Sequence, residues 1–319
     1  MTAPPVAIPA PRTLNGRARS GADRFGGLVE AWLRGHTAIV YLFLYVPIVI
    51  VVIFSFNATE RRVTDWDGFS LRWYEYVFTN REVQRYLGNS LIVGTLTAAL
   101  STLVGTMAAL GLQRAPKWFR LPFEGMTYIS IIVPELVIAL ATLVFFASTI
   151  GRDGIVTNVT GTELGFGFHT MVGALSLFNI SLVFLLVRAR LSGMDRTLVE
   201  ASYDLYGSPW RTFWQVTFPQ LLPAIVAGFL LSFTFAFDDY LISTFVNGRG
   251  TSTLPLYVFG QIRVGVTPST NAIAAVMLLI TLSILLVGQF LLSRNARRSG
   301  ARGQAGGVAE IVADNAGGG

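Results

Sequence analysis

Cysteine is absent from the 319 residues, which excludes disulfides, thiolate metal sites and cysteine nucleophiles. Histidine is nearly absent, and neither His36 nor His169 has a metal-ligating partner at helical spacing. With no histidine pair and no Ser/His/Asp cluster, no catalytic residue and no metal ligand is assigned, and an enzyme reading is set aside. Lysine occurs once, as Lys117 in Arg114-Ala115-Pro116-Lys117-Trp118. A phosphate-binding loop needs Gly-x-x-x-x-Gly-Lys-Ser/Thr, so the chain carries none. Any work with ATP and its Mg falls to another polypeptide, and no cofactor is expected on this one.

Charge is also scarce, at 13% of residues against 52% hydrophobic. Such a chain is too apolar for an ordinary soluble surface. The stretches Ala38–Phe56, Asn89–Gln113, Gly165–Val187 and Val264–Ser293 contain no Asp, Glu, Lys or Arg. A bilayer core takes roughly 20 such residues as a helix, so the lipid bilayer is the expected surrounding. The formal net charge of +6 would suggest nucleic acid in a soluble protein. Here the arginines flank apolar runs, as residues kept on the cytoplasmic side do, and no nucleic-acid partner is expected.

The apolar runs predict six spans, at about 38–56, 89–112, 123–149, 166–188, 221–246 and 271–293. The Pro-, Ala-, Gly- and Arg-rich segment 1–36 reads as a disordered cytoplasmic tail, and 294–319 as a second one. An even number of spans puts both ends on one side. With both ends in the cytoplasm, the inner segments hold 16 of the 24 basic residues, although Arg61, Arg62, Arg72, Arg81 and Arg85 crowd the first outer loop. All six tryptophans fall in flanks or loops, where indoles favour the headgroup zone.

The longest inner loop, about 189–220, holds Glu200-Ala201-Ser202-Tyr203-Asp204-Leu205-Tyr206-Gly207-Ser208-Pro209, then Phe213 and Pro219. Its first part has helical spacing at Leu198, Ala201 and Leu205, a Gly-Ser-Pro break follows, and Pro209 suits the first position of a second helix. Two short surface helices of this kind can dock into a partner's groove, or can be a simple amphipathic connector.

This loop resembles the EAA loop of the permeases of binding-protein-dependent ABC importers. Glu200, Ala201, Asp204, Leu205, Pro209, Phe213 and Pro219 match the family positions, whereas Ser202 replaces the second alanine and Tyr206 takes the glycine position, with Gly207 one place later. The resemblance extends from about Ile39 to Leu292 and narrows to the polyamine (spermidine/putrescine) permease subfamily. It rests on Phe69-Ser70-Leu71-Arg72-Trp73-Tyr74, Asn89-Ser90-Leu91, Val133-Pro134-Glu135, Leu231-Ser232-Phe233-Thr234, Phe237-Asp238-Asp239-Tyr240, Thr253-Leu254-Pro255-Leu256 and Val264–Ala272. It implies an all-α polytopic protein of type I ABC importer architecture in a bacterial inner membrane. It also implies an ABC ATPase dimer, a second homologous permease subunit and an extracytoplasmic substrate-binding protein as partners. Glu200, Ala201, Asp204, Leu205, Gly207, Pro209, Phe213 and Pro219 would then form the ATPase-coupling loop.

Glu135, Asp238 and Asp239 fall inside the expected spans, where a carboxylate costs roughly 2.5–3.5 kcal/mol or more and needs a water-filled path or a partner. Adjacent helical residues point about 100° apart, so Asp238 and Asp239 are not expected to face one path together. Acidic groups with Tyr240 and Phe237 beside them suit a cationic amine. Glu135, Asp238, Asp239 and Tyr240 are therefore the expected substrate pathway; an ion pair with an arginine on a neighbouring subunit is the alternative. The rival functions are the same machine carrying iron, an opine or an organic anion, and a stand-alone channel or secondary carrier.

Overall fold

A computed structural model describes residues 19–60, 65–152, 154–162 and 164–290, with side chains from Val29 onward. Residues 1–18 of the expected N-terminal tail, the whole expected tail 294–319 and the last residues of the sixth span lie outside the described part. Among the described residues the helices follow in order: α1 Arg19–Phe54, α2 Arg72–Thr79, α3 Arg81–Arg114, α4 Lys117–Ile132, α5 Glu135–Ile150, α6 Ile155–Thr160 and α7 Phe168–Ser192. Then come α8 Thr197–Asp204, α9 Pro209–Thr212, a π-helical turn Phe213–Thr217, α10 Phe218–Phe237, α11 Leu241–Val246, α12 Leu254–Val264 and α13 Pro268–Phe290. Strands are absent among the described residues. Six helical stretches are long and apolar enough to cross a bilayer: Val29–Phe54, Arg81–Arg114, Glu135–Thr160, Phe168–Ser192, Pro209–Phe237 and Pro268–Phe290. The fold is all-α and polytopic.

The chain divides into two units, Met1–Ile53 and Phe54–Gly319. In the first, the helix starts at Arg19 rather than after residue 36, which corrects the expected extent of the tail. The reason is local: no proline lies between Pro11 and Pro47, and the Arg34 Nη2 to Glu30 Oε1 contact of 2.6 Å is an i,i+4 pair that supports a helix before the apolar run begins. Leu42, Phe43, Leu44 and Tyr45 are all exposed, so this helix is apolar on every side, as a lipid-facing segment is.

In the second unit α3, α7 and α10 pack through small residues. A Cβ on Gly105 of α3 would lie 2.9 Å from the Ile180 carbonyl oxygen and 3.0 Å from the Phe184 nitrogen, so the α3 and α7 backbones meet there. Gly228 of α10 sits against the Val183 side chain, and Gly94 of α3 against the Phe233 ring. Membrane helices lack a hydrophobic drive to associate and use such close approach instead. Around these crossings Val93, Met171, Ala174 and Ala236 are buried toward one end, and Ala109, Val183, Phe184 and Leu221 toward the other.

Several residues that carry the resemblance have a structural use. Asn89 Nδ2 donates to the carbonyls of Gly250 (3.1 Å) and Ser252 (2.8 Å), and the Leu254 N–H donates to Ser90 Oγ at 2.8 Å. These bonds fasten the start of α3 to the segment before α12.

Two expected spans are interrupted. The stretch 123–149 is not one helix: α4 ends at Ile132 and α5 starts at Glu135, because Pro134 lacks an N–H and holds Val133 extended at φ −62°, ψ 130°. The stretch 221–246 also breaks, since α10 ends at Phe237 and α11 begins at Leu241. The residues between them, Asp238-Asp239-Tyr240, are therefore not successive positions of one helix. The expectation that Asp238 and Asp239 diverge by a helical 100° does not apply.

Candidate functional site

The two breaks meet. The carboxyl of Glu135, in the first turn of α5, lies against the carboxyl of Asp239 in the gap between α10 and α11. Asp239 is buried at 7% exposure, while Glu135 and Asp238 are exposed. The position of Asp239 is set by backbone donors: the Ser243 N–H gives a 2.7 Å bond to Oδ2, and the Ile242 N–H a 3.4 Å bond to Oδ1. Its side chain thus caps α11 and, at the same time, faces Glu135. Tyr240 stacks on Phe259 of α12 with ring centroids 3.9 Å apart, and Arg263 Nη2 donates to the Tyr240 hydroxyl at 3.5 Å. Two neighbouring carboxylates repel unless a proton or a cation lies between them. With a stacked aromatic pair alongside, the arrangement can receive a cationic amine. Phe237, expected to flank the cargo, is instead fully buried against Phe233.

The second cluster lies between α7 and α10. Helix α8 is started by Asp195, whose Oδ1 accepts the Thr197 N–H (2.9 Å) and hydroxyl (2.8 Å); these bonds hold the Asp195 carboxyl below the usual carboxylate range. The helix ends in a Schellman motif. The Gly207 N–H donates to the Ser202 carbonyl at 2.8 Å and the Tyr206 N–H to the Tyr203 carbonyl at 2.9 Å. The left-handed residue of this motif is Tyr206, at φ 59°, so the turn stays where the EAA pattern has glycine. A side chain there costs about 1–2 kcal/mol relative to a right-handed conformation. Gly207 is needed for a different reason: a Cβ on it would lie 2.5 Å from the Ser202 carbonyl oxygen.

Ser202, the other departure from the pattern, has a partner as well. Its hydroxyl bonds that of Thr212 at 2.9 Å and ties α8 to α9. Helix α9 is capped by Ser208, whose Oγ accepts the Arg211 N–H at 3.3 Å, and has Pro209 at its start. Phe213 is half-buried, and Pro219 lies in the first turn of α10. Glu200, Ala201, Asp204, Leu205 and Pro209 are exposed. A cleft of about 680 Å³ opens behind the loop, lined among others by Arg114, Arg188, Glu200, Tyr203 and Phe213.

Sequence reasoning did not find the bonds that connect this loop to the spans. Glu124 Oε1 accepts both Arg120 Nε (2.6 Å) and Arg188 Nη2 (2.7 Å), joining α4 to α7. Arg190 Nε donates to the Gln220 carbonyl at 3.1 Å and joins α7 to α10. The signal in the sequence is the pair Arg188 and Arg190 at the end of an apolar run, where composition alone reads them as flanking charge.

Residues 101–299 match the family model described as "Binding-protein-dependent transport system inner membrane component". The chain belongs to this family. It is a multi-pass membrane protein and an importer permease. The spermidine/putrescine transport system permease protein PotC of Haemophilus influenzae is 34% identical over 257 residues, covering 81% of this chain and 95% of that one. The putrescine transport system permease protein PotI of Escherichia coli is 34% identical over 240 residues, covering 75% and 82%. Among solved structures, a bacterial ABC transporter involved in the import of the acidic polysaccharide alginate superposes with a TM-score of 0.67 at 12% identity, over 85% of this chain and 99% of that one. At that identity the likeness bears on the permease fold alone.

Proposed function

We propose that this permease forms half of a pathway that carries a polyamine, a spermidine- or putrescine-like cation, into a bacterial cell. The cation is delivered by an extracytoplasmic binding protein and driven by a separate ATPase dimer, which holds ATP and Mg. A second permease subunit supplies the other half of the pathway. Both termini and the loop 189–220 face the cytoplasm. Glu200, Ala201, Asp204, Leu205, Gly207, Pro209, Phe213 and Pro219 in that loop receive the ATPase. The observation that carries the cargo assignment is the meeting of the Glu135 and Asp239 carboxyls beside the Tyr240–Phe259 stack. An amine between them removes the repulsion, and Asp238, exposed one residue before Asp239, gives a further charge along the same edge. The permease names of the relatives at 34% identity support the same cargo class.

The test is uptake of labelled putrescine and spermidine by the assembled transporter in proteoliposomes, with Glu135→Gln, Asp239→Asn and the double variant. Asparagine keeps an acceptor for the Ser243 N–H, so α11 stays capped and assembly is expected to be normal. Uptake should fall in both single variants, and more for spermidine than for putrescine. Normal uptake of both amines in the normally assembled double variant refutes the cargo assignment.

A further inference from the structure

We propose that Tyr206 is an aromatic anchor by which this permease selects its ATPase, entering an apolar pocket with a basic rim on that subunit. The proposal rests on the reading of the loop 189–220 as the ATPase contact and adds to it the residue that gives specificity. Three observations lead there. Tyr206 holds the left-handed position of the Schellman turn at φ 59°, where glycine would be free of strain. Its side chain is 98% exposed, so among the described residues no packing of that side chain offsets the strain. Leu205 beside it is 83% exposed, and the two form an apolar knob at the tip of the loop.

The knob is held rather than loose. The Gly207 N–H bond to the Ser202 carbonyl and the Ser202–Thr212 hydroxyl bond fix the turn from behind, so the ring is presented with little ordering left to lose on binding. A strained backbone that points a bulky ring outward is an arrangement to be completed by a partner. Tyrosine is among the residues that dominate binding energy when buried in a pocket. Charge distinguishes a protein pocket from the membrane as the occupant. Glu200 and Asp204, four residues apart and both exposed, flank the knob on α8. Anionic lipid headgroups repel such a pair, whereas a groove with a basic rim is complementary to it.

The experiment measures binding of the ATPase that co-purifies with the wild-type permease complex, using complexes reconstituted in nanodiscs. Tyr206→Gly should melt no earlier than wild type and bind the ATPase about 30-fold more weakly, while Tyr206→Phe stays within about threefold. Gly207→Asp, which displaces the whole turn, should abolish binding. Retained binding in Gly207→Asp overturns the loop reading itself. Loss in Gly207→Asp together with wild-type affinity in Tyr206→Gly overturns the anchor and leaves the loop reading standing. Because the chain has no cysteine, Tyr206→Cys can be labelled uniquely with an environment-sensitive maleimide. Its emission should shift to the blue only when ATPase is added. A blue shift in nanodiscs without ATPase places the side chain in lipid and overturns the proposal.

Discussion

Replacing Gly207 with alanine should unfasten the turn after α8 while leaving the spans folded. An ideal Cβ on Gly207 would lie 2.5 Å from the Ser202 carbonyl oxygen and 2.7 Å from its hydroxyl, whereas ordinary contact begins near 3.4 Å. The obstacle nearest the Cβ is backbone, so no rotamer change relieves it. The turn has to open until the Gly207 N–H, now 2.8 Å from that carbonyl, loses its bond. The same movement pulls on the Ser202–Thr212 hydroxyl bond of 2.9 Å. Each bond is worth about 1 kcal/mol net, so losing both favours the open loop by about 2 kcal/mol, or about 30-fold. Ser202→Ala removes only the hydroxyl bond and should open the loop by about fivefold. Hydrogen exchange of the Tyr206 and Gly207 amides reads the opening directly. Protection should be highest in wild type, lower in Ser202→Ala and lowest in Gly207→Ala, with little change in the melting of α3, α7 and α10. Unchanged protection in Gly207→Ala, or a larger loss in Ser202→Ala, refutes the account of the turn.

Two further outcomes follow from the geometry. Gly105→Ala should destabilise the permease by about 1–3 kcal/mol, because the new methyl meets the Ile180 carbonyl oxygen at 2.9 Å and the Phe184 nitrogen at 3.0 Å, and Val183→Ala should not rescue it. Gly228→Ala meets only the Val183 side chain, its methyls at 3.2 and 3.4 Å, so there Val183→Ala should relieve part of the cost; thermal melting of the three single and two double variants in detergent decides. The cap of α8 should depend on pH through Asp195, whose carboxyl is held low by the Thr197 N–H and hydroxyl. A depressed value in the folded state means the cap is in place above the ordinary carboxylate range and is lost as pH falls through the lowered value. Exchange protection of the Thr197 amide should show that dependence, and Asp195→Asn should abolish it.

The spans were legible because burial in lipid leaves a coarse mark, long runs without charge, that survives ignorance of packing. The break before Glu135 has a signal in the sequence, since Pro134 disfavours continuation of a helix, although the apolar run by itself predicts one span there. The break at Asp238 has none. Nothing from Leu231 to Val246 is a glycine or a proline, and by composition one helix runs through. The interruption is made by a side chain: Asp239 accepts the Ile242 and Ser243 N–H groups and so starts a new helix where the old one could have gone on. Likewise Gly207 looked like the residue that ends α8, because glycine is the usual left-handed residue of a helix end. That role falls to Tyr206, and Gly207 is instead the residue with no room for a Cβ, a distinction visible only once Ser202 is seen folded back against it.

The Asp239 cap also explains how a carboxyl group is accommodated inside an otherwise apolar stretch. A lone charge within a continuous apolar helix would have only lipid or neighbouring side chains to meet it. At a helix start it meets backbone N–H groups that have no partner within the helix, and those of Ile242 and Ser243 donate to its oxygens. The two oxygens are committed to Ile242 and Ser243, but a carboxylate has lone pairs to spare, and the side facing Glu135 remains available. The break and the charge are therefore one feature. Removing the cap would let α10 and α11 rejoin, and rejoining them would turn Asp239 away from Glu135. The meeting of the two carboxyls depends on α10 stopping at Phe237, and the Asp239 side chain that starts α11 beyond that stop is itself one of the two that meet.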